Sequence, residues 1–331
     1  MKKVNKIWLV RCFFSLPFIG KARLGGAFCA ILLLPLGEVG RGFAQQDPQY
    51  SQYMFNQLAI NPAYAGSKEV ISAAMFLRSQ WTGIGQGSPK TQTLTVHSPL
   101  RKNNVAVGFT VIADQVGPKN SIGILGSYAY RIKIRDGKLS LGLRAGIYQY
   151  NYNWGLMDVK DQDDPVYAEN NKSIIVPTAD AGAYYYTNSL YAGFSATHLN
   201  YGRLTSVDNL NGTEAQLMPH LFFTGGKAWA ISDKLIFSPS AMVKVVKNSP
   251  VTADLNLSFL IEKRFWAGLS IRSRYGIVAY AQFNITDKFK VGYAYDLGLN
   301  KLGRAAGRSH EIMISYDFKI SNPAFFSPRY F

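Results

Sequence analysis

Four histidines are spread along the chain, at His97, His198, His220 and His310. Imidazole nitrogens are the commonest zinc ligands, but a site readable from sequence needs them at short, regular spacing. These four are too scattered, so the sequence predicts no metal centre. His310-Glu311 could be taken for an acid–base pair, yet it reads as the boundary between a loop and a strand. No H-E-x-x-H, Walker A loop, G-x-S-x-G elbow or G-x-G-x-x-G unit occurs. Asp158, Asp161, Asp163, Asp164 and Glu169 cluster within one stretch, and such oxygens suit calcium. Their spacing departs from an EF-hand loop, with Pro165 where the turn glycine belongs, so a solvated acidic loop is the expected reading. Both cysteines, Cys12 and Cys29, fall near the N-terminus, in a segment expected to be removed. The mature chain then has no thiolate nucleophile and no disulfide. The expectation is no catalytic residue, no cofactor and no metal.

That N-terminal segment reads as a secretory signal. Lys2, Lys3, Lys6, Arg11, Lys21 and Arg23 form a long basic region, Ala27 to Leu36 is the apolar stretch, and Gly42-Phe43-Ala44 supplies small residues for cleavage after Ala44. The whole chain carries a formal charge of +16; removing seven Lys/Arg and one Glu with residues 1–44 leaves +10. For an exported protein, nucleic acid is a poor partner for this charge. Lipopolysaccharide phosphates or an acidic protein fit better.

What must hold any function together is a series of strands. Aromatic residues make up 14% of the chain and charged residues only 17%, and no mature segment has the roughly 20 apolar residues of a membrane helix. Alternation is regular instead. Val105, Val107, Phe109 and Val111 share one face, and Ala106, Gly108 and Thr110 the other. Leu139, Leu141, Leu143 and Ile147 oppose Ser140, Gly142, Arg144 and Gly146. Ile312, Ile314, Tyr316 and Phe318 oppose Glu311, Met313, Ser315 and Asp317. Successive side chains in a strand point to opposite faces, so each strand has an apolar face and a small or polar one.

Fourteen strands are expected, near 69–80, 90–98, 103–114, 120–133, 138–150, 178–187, 189–198, 217–230, 234–247, 252–262, 264–273, 275–285, 288–296 and 309–320. Connections after even-numbered strands are short. Most after odd-numbered strands are longer, including 114–119 and 151–177. This asymmetry is that of a transmembrane antiparallel β-barrel, with short periplasmic turns and longer outer loops. A soluble all-β protein gives no reason for it. Glycine and alanine on the polar face suit a crowded or plugged lumen. Trp81, Tyr148, Tyr150, Tyr152, Trp154, Tyr184 to Tyr186, Tyr201, Trp229 and Trp266 near strand ends read as interfacial girdles. The organisation expected is a signal at 1–44, a periplasmic N-terminal segment at 45–68, the barrel at 69–320 and a periplasmic tail at 321–331, with both termini in the periplasm of a Gram-negative cell.

The 45–66 segment is not strand-like. It carries the turn signals Asn61-Pro62 and Ala65-Gly66, with Tyr50, Tyr53, Met54, Phe55, Leu58 and Ile60 as apolar surface to bury. Two readings stay open: a docking or plug element that contacts partners, or a segment that packs in the barrel mouth and seals it. Phe325, Phe326, Tyr330 and Phe331 are expected to fold back on the barrel base or touch a partner.

The run Asp47-Pro48-Gln49-Tyr50-Ser51-Gln52-Tyr53-Met54-Phe55-Asn56, continuing to Asn61-Pro62-Ala63-Tyr64-Ala65-Gly66, resembles the opening of the PorP/SprF family of Bacteroidetes. Arg264–Ser270 with Arg272, Gly292–Asp296, Ser309–Ile312 and the terminal Pro328–Phe331 resemble its later signatures. The resemblance implies a non-enzymatic outer-membrane barrel of the type IX secretion and gliding machinery. Its implied partners are periplasmic ring or peptidoglycan-binding components, or a secreted adhesin with a C-terminal sorting domain. The partner-binding residues expected on this basis are Tyr50, Tyr53, Met54, Phe55, Asn61, Pro62, Tyr64, Arg329, Tyr330 and Phe331. The alternative is a diffusion porin or substrate channel.

Overall fold

The computed structural model describes residues 47–100, 104–153, 172–202 and 216–318. The signal, the acidic cluster at 158–169, Trp154 and the tail with Arg329, Tyr330 and Phe331 lie outside the described residues.

Fourteen antiparallel strands close into a barrel. They are β1 (Ile71–Ser79), β2 (Lys90–Pro99), β3 (Val105–Val116), β4 (Lys119–Ile134), β5 (Gly137–Tyr152), β6 (Lys172–Tyr186) and β7 (Leu190–Thr197). There follow β8 (His220–Lys227, continued past Ala228 by Trp229–Ser232), β9 (Leu235–Val246), β10 (Thr252–Ile261), β11 (Phe265–Arg272), β12 (Gly276–Asn284), β13 (Phe289–Gly298) and β14 (Ser309–Phe318). Each strand pairs with the next, and β1 pairs with β14 from Ile71↔Phe318 to Ser79↔His310. Among the described residues each strand is thus paired on both sides over part or all of its length, the closed arrangement that satisfies backbone groups in a membrane interior.

The alternation has the expected sense. Leu143 is 65% exposed and Ile175 64%, and Val107, Phe109, Ile312, Ile314, Tyr316 and Phe318 also face outward. Ala106, Thr110, Ser140, Arg144, Glu311 and Ser315 face inward and are buried. An apolar exterior over a polar interior is the reverse of a soluble sheet and suits lipid contact. No described helix is long and apolar enough to cross a membrane.

The strand ends joined through 80–89, 153–171, 198–219 and 299–308 lie at one end of the barrel, with those of three shorter connections; the strand ends joined through 100–104, 135–136, 187–189, 233–234, 262–264 and 285–288 lie at the other. These are termed the long-loop and short-turn ends. Two connections expected to be long are shorter. The ladder between β3 and β4 continues to Val116↔Lys119, leaving only a tight turn in which Gly117 has φ +56°. On the next hairpin, β6 begins at Lys172 because its pairing with β5 runs out to Tyr152↔Lys172.

The girdle reading is corrected for five aromatic residues. Tyr184 is 1% exposed and Tyr150 2%, and Tyr148, Tyr186 and Trp266 are also buried in the interior. They share parity with inward Arg144, Asp180 and Ser270 on their strands, so they point into the lumen. Tyr148 lies over Gly123 of the neighbouring strand, where a Cβ would come within 2.3 Å of its ring. Tyr201 and Trp229 do face outward.

Candidate functional site

The barrel core is made by its own N-terminal segment. Of the two readings left open for the N-terminal segment, packing in the barrel describes residues 47–66, which run through the lumen. Asp47 meets His198 and His220 at the long-loop end. Gly66 meets His97 and Arg131 at the short-turn end, donating to His97 Nδ1 at 3.1 Å and accepting from Arg131 Nη1 at 3.0 Å. The chain between is a series of short turns: a 3₁₀ turn at Tyr53–Phe55, helix α1 at Gln57–Ile60 and a 3₁₀ turn at Pro62–Tyr64. The last is fixed locally. Asn61 caps it, its side-chain oxygen accepting from Ala63 N at 2.9 Å, and Pro62 at its first position has no N–H to leave unbonded.

Three wall regions grip this segment. Near the long-loop end, Glu311 of β14 accepts from two successive backbone amides, Ser51 N and Gln52 N, both at 2.8 Å. The Ser51 hydroxyl donates to Asp296 at 2.6 Å and also bonds Arg78. Arg78 of β1 pairs with Asp296 at 2.7 Å and Glu311 at 3.2 Å. Nearby, Arg272 pairs with Asp254 and donates to Tyr50 O, each at 2.8 Å. At mid-barrel, Arg144 is held by Asp180 at 2.5 Å and donates to the Leu58 and Ala59 carbonyls at 3.0 and 2.9 Å. Those carbonyls lie near the end of α1, where few intrahelical donors remain and a cation is favourable.

The third region is a trough of small residues. Gly142 pairs with Ala129 on one side and Gly182 on the other. A Cβ on Gly142 would fall 2.3 Å from Ala63 N, and one on Gly182 would fall 2.2 Å from Asn61 Oδ1. The Asn61–Tyr64 turn rests in this trough, and Asn61 Nδ2 donates to Ala183 O at 3.1 Å and Phe194 O at 3.3 Å. The glycines on the polar face of the strands make room for it.

The seven expected partner-binding residues that are described, Tyr50, Tyr53, Met54, Phe55, Asn61, Pro62 and Tyr64, gather inside the barrel. Tyr50 bonds Thr93 Oγ1 at 2.9 Å, and Tyr53 OH bonds Asn256. Met54 and Phe55 pack against Val278, Tyr280 and Ala294, with Phe55 edge-on to Trp266 and Tyr280. Asn61, Pro62 and Tyr64 are buried, and Tyr64 stands edge-on to His97 and Tyr184. Asn56 and Gln57 turn buried amide groups to positions where no group among the described residues bonds them.

Sequence reasoning missed one cluster. His198 Nε2 lies 2.9 Å from Asp47 Oδ1, and His220 Nδ1 lies 2.8 Å from Asp47 Oδ2. Burial pushes the Asp47 carboxyl up, but His198 and His220 outweigh it and hold it well below the usual range. No spacing rule reveals this trio, because the 198–219 connection and the folding-in of residue 47 bring it together. Beside it opens a cleft of about 810 Å³, partly solvent, bordered by Pro48, Tyr50, Phe222, Lys244, Arg272 and Tyr275.

Residues 42–316 match the family described as type IX secretion system membrane protein PorP/SprF. The chain belongs to the PorP/SprF family. Among solved structures, it is similar to the outer membrane protein Omp33 of Acinetobacter baumannii (12% identity, 76% of this chain and 100% of that one, TM-score 0.43). It is also similar to the toluene transporter TodX of Pseudomonas putida (9%, 78% and 92%, TM-score 0.44) and to a FadL homologue of Pseudomonas aeruginosa (11%, 76% and 89%, TM-score 0.41). Among curated proteins none matches. As a member of this family with a lipid-facing barrel, the chain is an outer-membrane component of the type IX secretion system.

Proposed function

We propose that this barrel is a non-enzymatic part of the secretion and gliding machinery that binds secreted cargo or periplasmic partners and supports delivery to the cell surface. Its lumen segment is the element that responds to them. The observation that carries this reading is the nature of the seat. Residues 47–66 combine apolar packing by Tyr53, Leu58 and Tyr64 with an unusual number of buried charges and backbone hydrogen bonds to the wall. The polar contacts, unlike the apolar ones, can be replaced by a partner's own polar groups, which offsets the roughly 1.5–3 kcal/mol that each charged hydrogen bond contributes. A segment placed this way blocks free diffusion and remains displaceable.

The test is deletion of residues 47–66 in the producing cell. Secretion of the cognate surface protein should stop while the barrel still inserts and migrates as a heat-modifiable species. Affinity purification of the intact chain should recover machine subunits or one secreted adhesin. Steady ion conductance by the purified intact chain in planar bilayers, with secretion unaffected by the deletion, would favour a diffusion channel and overturn the proposal.

A further inference from the structure

The geometry points to a transition-metal site, of the zinc class, formed by Asp47, His198 and His220, which clips the start of the lumen segment to the barrel wall. The ligand atoms of the three side chains all lie within 4.8 Å of one another. The two imidazoles are 2% and 3% exposed. They come from adjacent strands, His198 directly after β7 and His220 at the start of β8, where Thr197 pairs with His220. Two neutral imidazole nitrogens and one carboxylate form a donor set for Zn²⁺ or its first-row neighbours, and not for Ca²⁺ or Mg²⁺, which take oxygen. Solvent entering past the partly exposed Asp47 could supply a fourth ligand.

Two further observations favour a metal over a plain hydrogen-bonded clasp. First, His220 Nδ1 stands 2.8 Å from Asp47 Oδ2 without a hydrogen-bond partner of good geometry among the described residues. This nitrogen is buried and aimed into the space between the three groups. Second, His198 is oriented from behind as metal-bound histidines are. Its Nδ1 is 3.0 Å from Thr178 Oγ1, and its backbone N–H donates to Asp180 at 2.8 Å. That leaves Nε2 turned toward Asp47, an outer-shell arrangement typical of metal centres. Ligand atoms on a tetrahedral zinc stand about 3.3 Å apart, a spacing within reach of three ligand atoms that already lie within 4.8 Å of one another.

The site joins residue 47 to the wall 24 residues before β1 begins at Ile71. The ion would therefore fix the far end of the lumen segment, while the Gly66 contacts fix the near end. Metal loss frees one end without touching the barrel ladder.

The experiment uses the full mature chain in detergent, without a histidine tag, stripped with chelator and titrated with ZnCl₂ by calorimetry and with CoCl₂ by visible absorption. One ion per barrel is expected, with cobalt bands of low-coordinate N/O geometry. His198→Ala, His220→Ala and Asp47→Asn should each weaken binding at least about 100-fold, and Thr178→Val by about 10–100-fold. His97→Ala and His310→Ala should leave it unchanged. Heat-modifiable migration checks that each variant folds; Asp47→Asn alters no wall residue and keeps the test valid if a histidine variant fails. Zinc should also slow hydrogen exchange at residues 47–52 in the parent chain only. Failure of the parent to bind one equivalent, or binding that survives Asp47→Asn and the double histidine substitution, overturns the proposal. The secretion and pull-down results bear on the proposed function and are independent of this outcome.

Discussion

Replacing Glu311 by alanine should loosen the lumen segment at its long-loop end while leaving the barrel closed. Glu311 is fully buried and accepts from Ser51 N and Gln52 N at 2.8 Å each. Each is a hydrogen bond to a charged acceptor, contributing about 1.5–3 kcal/mol. The lower figures apply because solvent can enter the vacated space and Arg78 keeps Asp296 at 2.7 Å. A loss of about 3 kcal/mol corresponds to roughly a 100-fold rise in local opening, at about 1.4 kcal/mol per factor of ten. Hydrogen exchange read by mass spectrometry should show that acceleration in a peptide covering residues 50–53, with strand peptides unchanged. Glu311→Gln keeps one acceptor oxygen and should show about a tenfold effect. Unchanged exchange at 50–53 in a folded Glu311→Ala barrel would refute the idea that this carboxylate holds the segment. Equal acceleration in β1 and β14 peptides would refute the separation of segment from wall.

Gly142→Val should push the Asn61–Tyr64 turn out of its trough, since even a Cβ there falls 2.3 Å from Ala63 N; exchange should rise at 61–64 in a barrel that stays heat-modifiable. Leu143→Arg sets a charge on the lipid face of β5 and should cost about 2–4 kcal/mol if it lies at mid-membrane, read from urea titrations of refolding into liposomes. Sidedness can be read on intact cells with an impermeant thiol reagent, which should label a cysteine replacing Ile84 in the 80–89 connection and spare one replacing Asp233 in a short turn.

The barrel wall was legible because strand parity is a strict code. Leu141, Leu143 and Ile147 on one parity, with Ser140 and Arg144 on the other, state which face meets lipid. The same parity places Tyr148 and Tyr150 inside, so the girdle error came from weighing residue type above position. Strand ends were less legible because ladders such as Val116↔Lys119 continue through polar residues. The lumen segment was visible as a turn-rich, aromatic stretch, with packing in the barrel mouth as one of two open readings, but its path through the lumen was not. Parity says that a wall residue points inward and says nothing of what it meets there. The carboxylates, arginines and glycines that receive the segment are long-range partners, and the Ser51–Glu311 contact spans most of the chain. The Asp47 trio was hidden for the same reason.

The contacts of Ser51 also bear on how the barrel assembles. The seam that closes the cylinder lies between the first and last strands, and Arg78 on β1 reaches the carboxylates of Asp296 on β13 and Glu311 on β14 across it. The seat for Ser51 and Gln52 is thus built from both lips of the seam and is incomplete in an open sheet. A nascent sheet cannot offer it until the last hairpin has met the first strand. Occupying the seat lowers the free energy of the zipped form alone, so by linkage the segment stabilises closure as much as closure orders the segment. The N-terminal residues therefore take their seat late in biogenesis although they emerge before the strands, once the last hairpin has met the first strand.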